Sequence, residues 1–319
     1  MALFIFVFLG SEYHFDIAYG ELAGPDSVVG AQASILATSA IGLVGYSLVN
    51  RTAAAKHRSI LRVLGTVSAL LLVATQLIQN ANALLSLGCL LFLILGMLGN
   101  ATYFSVAQTH YASNSLSRLV GASYATGLLA QFLLHSLAPN SVVEAAIIGA
   151  SIIALGFVLA ARRNVLHVVP VRSALPEKDQ RTADERDALK EAILLLACVS
   201  LIACVFSTLD NVVTLANVQG MFDLSTWPRL LLAISGIAAG FAFDLTNHRY
   251  STITMLCVAM LSLVSGLAIW TDSEVLLGLV IFYLSSGFFV VFFTSSFLRI
   301  AMRCANPSLW AGMGRAACQ

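Results

Sequence analysis

Long apolar runs separated by short polar breaks dominate the chain. Ten runs approach or exceed the thickness of a bilayer, at about 2–22, 27–49, 59–79, 83–108, 117–137, 142–162, 189–217, 227–245, 250–270 and 274–300. A helix needs about 20 mostly apolar residues to cross the hydrocarbon core. The pattern therefore predicts an all-α membrane protein of about ten transmembrane helices. One connector stands apart. Residues 163–188 mix charges of both signs with Pro170 and Pro176. This stretch reads as a linker between a six-helix half, 1–162, and a second part, 189–319, with four helices and a polar tail. Within the tail, Asn306, Pro307 and Ser308 form a helix-start pattern, because proline suits the first helical turn.

Composition agrees with the pattern. Hydrophobic residues make up 59% and charged residues 10%, and the mean hydropathy is +0.88. Soluble domains carry about a quarter charged residues, so this chain lacks the charge to cover a wetted surface. The formal net charge of +1 and the absence of a basic patch interleaved with aromatics give no sign of nucleic-acid binding. The six cysteines form no C-x-x-C pair, and neither a disulfide framework nor a metal site is expected. Basic residues set the orientation. With Met1 in the cytoplasm, every Lys and Arg except Arg229 falls at a cytoplasmic end, as the positive-inside rule requires. The expected location is the cytoplasmic (inner) membrane, with multiple passes.

A polar turn joins the eighth and ninth runs: Gly240, then Asp244, Asn247, His248 and Arg249. It resembles the signature loop of the major facilitator superfamily, Gly-x-x-x-Asp-x-x-Gly-Arg-Arg/Lys. Gly240, Asp244 and Arg249 match, while Asn247 replaces the glycine and His248 a basic residue. An internal repeat accompanies it. Gly45 precedes Gly240 by 195 residues, Asp16 precedes Asp210 by 194, and Gly96 precedes Gly287 by 191. A near-constant offset in the same orientation implies two parallel halves, and the superfamily is built that way. The resemblance implies six helices per half. The second half would then be incomplete, cut short before its last two helices. It also implies that Asp244 and Arg249, with Gly240, form a conformational latch. In the first half Val49 occupies the acid's position, and the eleventh helix that Asp244 is expected to hold is missing.

Ionisable groups inside spans are functional candidates, because an unpaired charge in hydrocarbon is costly. Glu12 and Asp16 share a helix face and His14 points away. Two carboxylates so close would share a proton. Either these groups lie within the first span, or that span ends near Gly10 and they stand in water. Asp210 and Asn211 are the repeat counterparts, and line the substrate path or mark the outer end of a long helix. Arg229 either snorkels to the outer surface, pairs with an acid, or binds an anionic substrate.

The expected function is secondary transport of a small solute by alternating access, driven by a proton or sodium ion. The alternative is a membrane sensor module of the same fold, fused in the full gene to a helix-turn-helix regulator. No catalytic motif and no cofactor signature is present, so an enzyme is not expected.

Overall fold

The computed structural model describes residues 1–52, 56–138, 140–161, 178–218, 227–245, 251–270 and 275–318. Among them are eleven α-helices, one 3₁₀ turn and no strand. The helices are α1 (Ala2–Ala23), α2 (Val28–Thr52), α3 (His57–Thr75), α4 (Ala81–His110), α5 (Leu116–Leu137), α6 (Ser141–Ala161), α7 (Lys178–Val218), α8 (Trp227–Leu245), α9 (Ser251–Trp270), α10 (Val275–Ala301) and α11 (Pro307–Ala316). The 3₁₀ turn Pro25–Ser27 links α1 to α2.

Each of the ten predicted apolar runs falls on a helix. Among the described residues, seven segments are long and apolar enough to cross a membrane: α1, α2, α3, α4, α6, the part of α7 at Glu185–Thr208, and the part of α10 at Leu277–Ala301. α5 has the length but is less apolar. It packs against α1, α8 and α10, so its Tyr124 and Gln131 are buried in protein. Helix α1 continues through Gly10 to Ala23. Glu12, His14 and Asp16 are therefore part of the first helix, not of a loop beyond it. α7 starts at Lys178, inside the stretch read as a linker.

Small residues bring backbones together, as they do where helices pack without a hydrophobic drive between them. A side chain at Gly96 of α4 would collide with the Ser39 carbonyl of α2. One at Gly287 of α10 would collide with Ser235 of α8. The helix pairs also recur six elements apart. α2 packs on α4 as α8 packs on α10; α3 on α4 as α9 on α10; α2 on α11 as α8 on α5; and α4 on α11 as α10 on α5. Aromatic rings of α1 fill the centre, with Phe8 edge-on to Phe92 of α4 and Phe4 edge-on to Tyr103.

Candidate functional site

Among the described residues, three polar groupings stand out in the apolar bundle. The first lies where α8 ends and α5 begins. The first amides of a helix have no partner within it. At α5 the Asp244 carboxylate accepts from them: Oδ1 from the Ser117 amide (3.2 Å) and Oδ2 from the Arg118 amide (2.9 Å). Oδ2 also accepts from Arg118 Nε (3.2 Å), and Arg299 of α10 brings Nη2 to 3.5 Å from Oδ1. The Asp244 side chain is fully buried and both arginines are partly exposed. Helix dipole and guanidinium charges favour the anion together. Gly240 makes this reach possible. It lies one turn before Asp244 on the same face, and a side chain there would press on the Ser117 carbonyl and the Arg118 backbone. The Arg118 guanidinium also covers the Phe241 ring at 5.7 Å.

Asp244 thus grips α5, not the eleventh helix. The eleventh helix exists as α11, and lies on α2 and α4. There Asn100 of α4 joins the helices, donating from Nδ2 to the Leu43 carbonyl of α2 and to the Ser308 carbonyl of α11 (2.8 Å for the latter). A neutral amide serves at this second joint.

The second grouping lies at the opposite end of the bundle. Glu144, in the first turn of α6, is buried between two histidines. His14 Nε2 is 3.5 Å and His135 Nδ1 3.3 Å from its Oε2, and the Tyr13 hydroxyl meets His135 Nε2 at 2.8 Å. Glu144 Oε1 is buried without a hydrogen-bond partner among the described residues. Beside them lies a cavity of about 280 Å³, also lined by Glu21, Gln76 and Asn140. Glu12 and Asp16 face away from this cluster, as the helical spacing predicts. Glu12 Oε1 accepts from Gln32 Nε2 of α2 at 2.9 Å.

The third is a cavity of about 330 Å³ bordered by α1, α2, α7, α10 and α11. Glu12 and Gln32 lie on one side, Arg315 and Cys318 of the chain's last turn on another, and phenylalanines of α7 and α10 opposite. Arg315 lies 5.3 Å over the Phe8 ring. Burial pushes the Cys318 thiol up to about 12, against the pull of Arg315.

The candidates from sequence distribute unevenly. Glu12, Asp16 and His14 lie on α1 as described, and Gly240 and Asp244 meet α5. Asp210 and Asn211 lie on α7 and Arg229 on α8, and their side chains are outside the described set. Arg249 is outside the described residues; the cations observed on Asp244 are Arg118 and Arg299. Sequence reading missed Glu144, Arg118, Arg299 and Arg315. The signal for Glu144 was an acid in the first turn of an otherwise apolar helix. The positive-inside pattern groups Arg315 with the cations at the cytoplasmic ends, yet it lines a cavity and lies over Phe8. Among the described residues no group of three or more His, Cys, Asp or Glu side chains is placed to hold a metal ion. No family model matches the chain, and no curated protein matches its sequence.

Proposed function

We propose that the chain is a major-facilitator-type secondary transporter that carries a small solute by alternating access. The observation that carries this reading is the ionic clamp on Asp244. It ties α8 to α5 and α10 at one end of the bundle, while the cavity beside Glu12 and Arg315 lies toward the other end. Among the described residues the clamp holds one buried carboxylate against two partly exposed arginines and the first amides of α5, so its release detaches α8 from α5 and α10. That release would open the closed end. The recurring helix pairs, and the equivalent contacts of Gly96 with Ser39 and of Gly287 with Ser235, support two parallel halves that rock against each other. We take the driving ion to be a proton, accepted by the carboxylates and histidines along α1 and at Glu144.

Double electron–electron resonance tests the clamp in a cysteine-free background. Spin labels at Ser115 and Ala305 report the clamp end, and labels at Ser136 and Leu277 the opposite end. Asp244→Asn is expected to lengthen the first distance and shorten the second. If the two distances stay unchanged in Asp244→Asn, the bundle does not alternate, and the sensor reading takes its place.

A further inference from the structure

The cavity between α1, α2, α7, α10 and α11 has two charged poles and an aromatic wall. One pole is Arg315. Among the described residues no carboxylate comes within ion-pair distance of its guanidinium, and its close neighbour is the face of Phe8. A guanidinium in a largely apolar bundle without an anion is an uncompensated charge, and its fork matches a carboxylate with two parallel hydrogen bonds. The other pole is Glu12, held in place by Gln32. Both poles line the same space.

The remaining wall is of a different kind. Phe206 of α7 stacks on Phe289 of α10, with ring centroids 4.9 Å apart and planes at 6°, and Phe282 and Phe293 extend the surface. Charge is therefore concentrated on α1 and α11, and aromatic area on α7 and α10. At about 330 Å³ the space is near the lower limit for small-molecule sites. A simple organic anion would satisfy Arg315 but face the Glu12 carboxylate. A simple amine would leave Arg315 as it is. A ligand with both charges on a compact head satisfies the two poles together, and an apolar body then fills the aromatic side.

We infer that this cavity binds a small zwitterion with an aromatic or bulky apolar body, of the α-amino-acid type. Its carboxylate sits on Arg315 and its ammonium on Glu12. The inference rests on the transporter reading for its purpose but not for its geometry.

The test uses the chain in lipid nanodiscs and three related probes: L-phenylalanine, L-phenylalaninamide, which lacks the carboxylate charge, and N-acetyl-L-phenylalanine, which lacks the ammonium. Calorimetric titration is expected to rank L-phenylalanine first, with each derivative about tenfold or more weaker, the loss for one hydrogen bond to a charged group. Arg315→Gln should weaken L-phenylalanine to the level of its amide and leave the amide unaffected. Glu12→Gln should do the same with respect to the N-acetyl derivative. Equal affinity of the three probes, or no binding of L-phenylalanine at millimolar concentration, overturns the inference. The probe series on the unaltered chain decides the matter even where a variant fails to fold. Binding with this ranking but without uptake of labelled L-phenylalanine into proteoliposomes would keep the site and sink the transporter reading. Uptake without the ranking would do the reverse.

Discussion

Asp244 concentrates more interactions than any other described carboxylate in the bundle, and the reason is local. Two backbone amides at the start of α5 lack intrahelical partners, and a buried carboxylate meets both. Replacing it with asparagine keeps the size and one acceptor oxygen but removes the charge that Arg118 and Arg299 balance. Hydrogen bonds to a charged group are worth about 1.5–3 kcal/mol. In Asp244→Asn the Ser117 and Arg118 amides should therefore exchange about tenfold or more faster, with amides in the middle of α3 unchanged. Hydrogen–deuterium exchange by mass spectrometry reads this, and unchanged protection would mean that the amides are held by something other than Asp244. Glu144 poses a related problem with a different solution. Its single oxygen Oε2 serves two histidines, so one acceptor position joins α1, α5 and α6.

Helix contacts decide which of these groups meet. α8 presents Gly236, Gly240 and Asp244 to α5 at successive turns, and Gly121 of α5 faces Gly236 across the seam. Close backbones shorten the distance that the aspartate must span. Gly240→Val would force the helices apart and move the carboxylate from the amides. Forcing extra methyl groups into a packed seam costs about 1–3 kcal/mol, so the melting temperature in detergent should fall by several degrees. Gly30→Ala is the control, because a Cβ there meets nothing within 4 Å and alanine favours helix. A melting temperature equal in Gly240→Val and the control would show that the α5–α8 seam does not depend on close approach.

For the whole molecule, the three polar groupings are arranged along the bundle in a meaningful order. The Asp244 clamp is at one end, the Glu144 cluster at the other, and the cavity with Glu12 and Arg315 reaches between. α1 connects the last two: His14 points to Glu144, while Glu12 lines the cavity with Asp16 one turn on. If a proton drives transport, its acceptors lie along α1. An inward pH gradient across proteoliposome membranes should then drive accumulation of labelled L-phenylalanine. Asp16→Asn and Glu144→Gln should each keep equilibrium binding and lose the gradient-driven excess, by about tenfold. Accumulation unaffected in both variants would exclude these groups from coupling.

The sequence by itself determined the helices. Apolar runs of bilayer length lie wherever the structure has a long helix, and the break at Asn306 and Pro307 marks the start of α11. Both signals are local: hydropathy and capping depend on neighbours in the chain. The sequence also placed Glu12 and Asp16 on one face of α1, because helical spacing alone decides that. It singled out Gly240 and Asp244 through a resemblance, but not what they contact. Only the tertiary structure decided that Asp244 meets α5, that His14 and His135 converge on Glu144, and that Arg315 lies over Phe8 beside a cavity. Except for His135 and Glu144, which lie nine residues apart across the α5–α6 turn, those pairs are separated by more than a hundred residues. A helix's period tells which side chains share a face, whereas its neighbours across the bundle are chosen by packing, here by glycines that let particular backbones touch.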